Sequence, residues 1–576
     1  MDKSGFENYI IEKIKTETDV DSCYFLLPSS NSITYFLREI CYVLKNQINN
    51  NLNNNYLIEL SRCFYKFLEK DVIMREIDSL SFSKLLLTIK EVSEGKQINK
   101  KSLLEYLSNL RNKNRRAFLS KIVEKIEALK PQFLEKIEEL DCLVGLFINE
   151  TLARGLDIRF LHHTTLWFEK GVFANLSAFF LYFVDSNHDT YDIYLPIKGF
   201  SEKNKDVFDK AEQEVFEIGG NKYLHVFDNR TIDYFTVIKS HMVRIESIFN
   251  MLKLYTNSSI SFDLDSDIIV DIDSDIVSLE QERFPFSKIT SYKGAKPYSK
   301  FMTQTLDNLY SLEELDKKRY HKILNIIVYS EKDNDLINPT SYVDAWISLE
   351  TLYSLSEINS GISVVRQLLP MFLSTKFIMG RITYFLKCGF KNTRCKAENF
   401  VLEKQDLSQI KNDYVKFQLE RLSKYLSSVK ELSKLYSEVE DKIKLDILRI
   451  YMLRNEYVHE SNLNAFNSLQ FYNLKNYLTL SIDVFFGMLD KYVDADFFDK
   501  ENLIYCVFER LIEKNEDRRV AFEITVNNRK YDNASKRLSI DEIGNELTES
   551  EAILNILLNN KTINKKFKKY KKDNTL

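Results

Sequence analysis

Residues 448–460 read LRIYMLRNEYVHE, and the interpretation of this stretch decides how the second half of the chain is understood. An amphipathic run carries an arginine, an asparagine directly after it, and a histidine four residues further on, in a chain with only seven histidines. Taken as one straight helix over 443–459, with about 100° between successive residues, it makes Asn455 and His459 neighbours on one face. Arg454 then stands roughly 140° from His459. The three converge if the helix kinks or ends near them, or if a second copy of the chain completes a composite site on a two-fold axis.

These residue types suit a phosphodiester. Arginine offers a fixed fork of donors to phosphate oxygens and stays charged. Histidine moves a proton near neutral pH, and asparagine orients a hydroxyl or phosphate oxygen. No metal is needed where the 2′-hydroxyl of RNA is the nucleophile. His459 would then help deprotonate that hydroxyl or protonate the leaving 5′-oxygen, and Arg454 would stabilise the charged transition state. The expected product is a 2′,3′-cyclic phosphate, with DNA left uncut. The competing interpretation is an arginine salt-bridged to a nearby glutamate and a histidine on the surface.

Outward from the motif the pattern is helical. Ser341 and Asp344, just after Pro339, form a capping pattern that opens YVDAWISLETLYSL (342–355). Further helices are expected at about 362–386, 405–436, 443–459 and 468–492. Ser311 and Glu314 form a similar cap before a run to about 330.

RNEYVHE resembles the R-N-x-x-x-H form of the Rx4–6H signature of HEPN domains (higher eukaryote and prokaryote nucleotide-binding). About 100 residues upstream, YVDAWISLETLYSL is similar to the helix bearing the LE-x-L pattern in the ApeA-like branch of that superfamily. ISVVRQLLPMFL (362–373) is similar to its middle helix, and LQFYNLKNYLTLSIDVFFGML (469–489) to its closing helix. The resemblance covers roughly 310–495, with 387–442 as an enlarged connection. It implies a helical bundle that dimerises and cuts RNA without metal, often as a toxin or abortive-infection protein. Arg454 and His459 would be catalytic, and Asn455 would take the polar position after the arginine. One departure is informative. A HEPN subgroup silenced by AMP transfer has a tyrosine two residues after the histidine; here Ser461 stands there, which argues against pairing with a nucleotidyltransferase antitoxin.

Glu350 lies on the stripe of Val343, Trp346 and Ile347, where a carboxylate is costly unless paired. Arg454 is one candidate partner, supporting catalysis by orienting the guanidinium. Arg366 or Arg381, in a purely structural pair, is the other.

The chain of 576 residues is too long for one core. Its 14 glycines and 7 prolines are few for that length and favour long helices. A net charge of −4 argues against a uniformly basic nucleic-acid coat. No uninterrupted apolar run reaches the roughly 18 residues of a membrane span, and no signal peptide is expected. Seven cysteines without a CxxC are expected as free thiols in a reducing cytoplasm.

Residues 1–150 read as helix, with a stop near Pro131 and a polar loop at 46–55. From 155 to 290, FFLYFV (179–184), YDIYLPI (191–197), YLHVF (223–227) and YFTVI (234–238) are expected as strands of a small antiparallel sheet, interrupted by a helix over 241–255. Asp271, Asp273, Asp275 and Glu282 match positions 1, 3, 5 and 12 of a calcium loop, but Ile276 replaces the glycine the turn needs, and IIVDID alternates like an acidic strand. His162, His163, His188 and His225 lack metal-ligand spacing. Basic, aromatic-bearing segments at 111–118 and 291–301 are weak RNA-binding candidates, the latter through Tyr292, Lys293, Lys296 and Tyr298. The end, KKFKKYKKDNTL, is a basic tail.

The expectation is therefore an α+β, mainly α protein of the cytoplasm: a helical region over 1–150, a β-rich sensor or regulatory domain over 151–297, a HEPN-like helical bundle over 298–500, and a helical extension over 501–576. It would be an anti-phage endoribonuclease with an RNA substrate, tRNA among the candidates. It would act as a homodimer released by a phage-derived trigger, with no cofactor and no metal. The alternatives are a non-catalytic HEPN-like protein that binds RNA, a nucleotide or a partner, and a metal-dependent hydrolase.

Overall fold

The computed structural model describes residues 5–19, 31–48, 54–184, 191–201, 214–228, 233–256, 259–263, 266–272, 275–279, 339–356, 361–390, 407–427, 429–460 and 468–493, with single positions at 205, 208, 318, 321, 322, 325, 508 and 512. Among them the chain is mainly α with one antiparallel sheet. Of the expected helix after Ser311 only positions 318, 321, 322 and 325 are described, all helical; residues 291–301, His188, Asp273, Glu282 and the tail lie outside the described residues.

Among the described residues nine helices form the first part: α1 (Gly5–Thr18), α2 (Ile33–Ile48), α3 (Asn54–Lys70), α4 (Ile73–Ile77), α5 (Ser79–Ser93), α6 (Lys100–Ala128), α7 (Ile137–Ala153), α8 (Ile158–Glu169) and α9 (Leu176–Val184). Asn99 opens α6 by accepting from the Lys101 and Ser102 amides, and Pro131 falls in the 3₁₀ turn after it. The polar stretch at 46–55 is not all loop. Asn46 and Gln47 are buried in α2, and Asn54 and Asn55 open α3.

The sheet runs in the order β2-β3-β1-β5-β6, from β1 (Tyr191–Lys198), β2 (Glu214–Ile218), β3 (Asn221–Asp228), β5 (Ile268–Ile272) and β6 (Asp275–Leu279), with short β4 (Ser261–Phe262) also on β1. Ile193, Leu195, Leu224, Val226 and Val270 are buried on the face covered by α10 (Tyr234–Thr256), where Phe249 packs edge-on to Phe262. Gly219 and Gly220, both at positive φ, make the two-residue turn between β2 and β3. Gly199 is required at the end of β1, because a Cβ there would meet the Ser259 carbonyl at 2.8 Å.

Two expected strands are helices. FFLYFV lies in α9, where Asn175 takes the Ala178 amide at 2.9 Å as an N-cap. YFTVI begins α10, where Asp233 takes the Thr236 amide at 2.7 Å. Both are short apolar runs, which periodicity alone cannot assign, and the cap decides each. The acidic stretch at 271–282 is a hairpin where described, with Asp271 opposite Ile276 and Ile272 opposite Asp275.

The remaining helices are α11 (Pro339–Ser354), α12 (Ile362–Gly389), α13 (Asp413–Leu426), α14 (Val429–Asn455) and α15 (Ser468–Val493). α11, α12, α14 and α15 pack on one another as a four-helix bundle, with α13 against α12 and α14. The span expected as one helix over 405–436 is not continuous: 407–409 form a 3₁₀ turn, α13 starts only at Asp413, and Ser427 leaves the helix in a turn. Among the described residues α12 alone is long and apolar enough to cross a membrane, and most of its apolar window is buried within this bundle.

The N-terminal helices and the bundle share one core. Asp141 of α7 is a node between them: it receives the Tyr9 hydroxyl at 3.0 Å, Lys13 at 2.9 Å, the Gln418 amide at 3.1 Å and Arg421 at 3.2 Å. Burial alone would raise the Asp141 carboxyl, but Lys13 and then Arg421 hold it below its ordinary range.

Candidate active site

The motif does not lie on a straight α-helix. α14 ends at Asn455 and the chain passes directly into a π-helical turn, Glu456–Glu460. In a π turn the backbone bonds span five residues rather than four. Positions five apart then stand about one turn apart, as positions four apart do in an α-helix. Arg454 and His459 are five apart, so the wide turn reduces the angle that separates them on a regular helix. The expected straight helix over 443–459 is corrected accordingly.

A side chain meets the helix ladder just before this turn. The carbonyl of Ile450 is the acceptor that an α-helix assigns to the Arg454 amide. It also accepts from the hydroxyl of Tyr342, at 2.8 Å, reaching across from α11. A side chain that enters the ladder in this way loosens the turn that follows. The Tyr342 ring is wedged against Tyr457 of the π turn, 5.4 Å away and edge-on, and against Phe471 of α15 at 6.0 Å. Tyr342 was not singled out from the sequence. Its signal is a buried tyrosine, whose hydroxyl needs a partner.

Arg454 is half-buried. Its Nη1 donates to the Asn455 Oδ1 at 3.1 Å, so the asparagine holds the guanidinium from the neighbouring position. Its Nε is buried with no hydrogen-bond partner among the described residues. Leaving such a donor unmet costs about 1–3 kcal/mol, more for a charged group, and an anionic oxygen is the natural acceptor. Backbone position is all that the structure describes for His459.

Among the described residues Glu350 is not paired with an arginine. Its Oε2 accepts from the Trp346 indole at 2.9 Å, one turn back on α11. Of its candidate partners, Arg454 donates to Asn455, Arg366 pairs with Glu59 of α3 at 2.6 Å, and Arg381 reaches Gln418 at 3.5 Å. Trp346 also packs on Tyr451 at 5.4 Å, and Tyr451 stacks on Tyr56 of α3 at 6.0 Å and 12°. Glu350 therefore belongs to an aromatic stack that ties α11, α14 and α3 together one turn before the arginine.

The other candidates are dispersed. His162 of α8 meets the Lys15 carbonyl at 3.1 Å, His163 bonds to the Tyr234 hydroxyl, and His225 of β3 bonds to Asp192 at 2.6 Å. Residues 111–118 lie within α6, and Phe118 is buried, so it is not free to stack on a base. Tyr292, Lys293, Lys296 and Tyr298 lie outside the described residues. In comparisons with known proteins, no family model, no curated protein and no solved structure matches this chain.

Proposed function

We propose that the chain is a metal-independent endoribonuclease of the HEPN kind, serving anti-phage defence by abortive infection. Arg454 stabilises the charged phosphorane-like transition state, and Asn455 fixes the guanidinium. His459 moves the proton of the attacking 2′-hydroxyl or of the leaving 5′-oxygen, giving a 2′,3′-cyclic phosphate. The observation that carries this is the π turn at Glu456–Glu460, which opens beside the arginine and suits its five-residue spacing to the histidine. The unmet Nε of Arg454 supports it. A homodimer is the proposed assembly. Ile347 of α11 and Val458 of the π turn, 47% and 44% exposed, provide apolar surface beside the motif for a second copy. Restraint by the N-terminal region is proposed because α2 and α3 contact α14 directly, through Glu39–Arg449 and Tyr56–Tyr451.

The test is cleavage of RNA by purified protein in EDTA, with the new ends analysed chemically. Cyclic phosphates are expected. Arg454→Ala and His459→Ala should each lower the rate by about 10²–10³-fold with the melting temperature preserved. Full activity in either variant removes that residue from the mechanism. RNA binding without cleavage, lost in Arg454→Ala and kept in His459→Ala, makes this a binding protein. Loss of activity in EDTA makes it a metal enzyme.

A further inference from the structure

The sheet has an outer face that α10 does not cover. On it, Tyr194 of β1 and His225 of β3 stack at 5.0 Å, and Phe216 of β2 stands edge-on to both, at 5.9 and 5.5 Å. Phe227, two positions along β3, is 56% exposed, and Phe216 is 40% exposed. Large aromatic surface left open on a sheet marks an interaction site. Its surroundings say what kind. Asp192 holds the His225 ring at 2.6 Å, Glu214 stands opposite His225 in the strand register, and Asp271 stands opposite Asp192. Asp192 and Asp271 both lie close enough to act on the Tyr194 hydroxyl; burial and these two charges raise it above its ordinary range. The one lysine at an outward position of these strands, Lys198, is four residues along β1 from Tyr194. Aromatic faces with carboxylates around them attract cations. They repel a phosphate backbone, which sets this face apart from the stacking platforms that hold single-stranded RNA.

The same chain contains a matching segment. Residues 565–572 read KKFKKYKK, six lysines with Phe567 and Tyr570 between them. The chain from Ile512 to Lys565 spans up to roughly 175 Å when extended, so length is no obstacle. We propose that this basic segment docks on the outer face of the sheet of its own chain. Its lysines meet Asp192 and Glu214, and its two rings lie on Phe216 and Phe227. Docking there occupies the polycation that would otherwise be free to meet RNA phosphates.

Zero-length carbodiimide cross-linking of the full-length protein, read by mass spectrometry, tests this. Lysines 565–572 should join Glu214 and Asp192 in preference to the other exposed carboxylates. In a mixture of light and heavy-isotope protein the joined peptides should carry one label. Phe216→Ser and Phe227→Ser change exposed side chains, so the fold should survive, as the melting temperature would show. Each should lower these cross-links at least about threefold, the weight of one surface cation–π contact. Phe567→Ser with Tyr570→Ser should do the same from the other side. Cross-links spread evenly over the surface, or joining light to heavy chains, overturn the proposal. So does an oligouridylate that binds the full-length protein through Phe227 while the tail lysines stay unlinked, since the face would then bind nucleic acid.

Discussion

Two arginines stand five residues apart on α14, and their surroundings are opposite. Arg449 is fully buried. It grips Glu39 of α2 with two bonds, at 2.8 and 3.0 Å, reaches Asn31 at 3.3 Å, and lies over the rings of Tyr35 and Phe36. Among the described residues Arg454 has one partner, its neighbour Asn455, and a buried Nε that nothing meets. A bidentate guanidinium held against aromatic rings is a structural pair. A guanidinium with an unmet buried donor is unexplained by stability and invites a ligand. Both residues are arginines on an amphipathic helix, and only their neighbours distinguish them.

The sharpest contrast should appear on truncation. Arg449→Ala leaves Glu39 buried without its partner and should cost about 3–5 kcal/mol in urea denaturation. The double change Arg449→Met with Glu39→Leu should recover most of that, because the pair's own net contribution is small once both charges are gone. A loss below about 1 kcal/mol for the single variant would break the comparison.

A third buried arginine sharpens it. Arg159 is held by Asp157 at 2.9 and 3.0 Å, but Asp233 lies beside that carboxylate, accepting the Asp157 amide at 3.2 Å. Burial and then the Asp157 charge push the Asp233 carboxyl up to about 6. The folded state thus binds this proton more tightly than the unfolded chain does. Stability from this group is full below about pH 4 and is lost as pH rises through about 6, by at most about 3 kcal/mol. Subtracting the melting curve of Asp233→Asn from that of the wild type across pH 4–8 should isolate this loss. Asp141, held low by Lys13 and Arg421, has the opposite sign: its contribution is kept above about pH 4 and lost on further acidification.

Smaller effects are expected nearer the motif. Tyr342→Phe removes the hydroxyl from the Ile450 carbonyl and should cost about 1 kcal/mol. Its more specific readout is hydrogen exchange at the amides of 454–460, which should change if the hydroxyl shapes the π turn and stay constant if it does not. Smallest of all, Arg454→Ala should alter unfolding free energy by less than about 0.5 kcal/mol, because its one partner among the described residues is the side chain of its own neighbour. A cost near that of Arg449→Ala would show that Arg454 is structural too.

The helices of the bundle were legible because each is long and periodic, but their ends were not: α11 begins at Pro339, so Ser341 and Asp344 lie inside it and do not cap it, and α14 runs unbroken through 437–442, where a break was expected. β1, β3 and β5 were legible from alternation. The runs at 179–184 and 234–238 misled because aromatic and β-branched residues also fill buried helices, and the capping roles of Asn175 and Asp233 outweighed propensity. At the candidate site, residue identities were legible and geometry was not. No period announces the π turn, and the hydroxyl that meets the ladder just before it comes from a tyrosine more than 100 residues upstream in the chain. The partner of Arg449 is 410 residues away, a pairing that only the folded chain reveals.

The node at Asp141 bears on the integrity of the molecule. Because α1, α7 and α13 are fastened there, the front and back of the chain are held by contacts and not merely by the peptide that links them. A protease cut anywhere between residues 280 and 338 should therefore yield two fragments that travel together through a sizing column, and part only when acid protonates that carboxylate or denaturant opens the shared core.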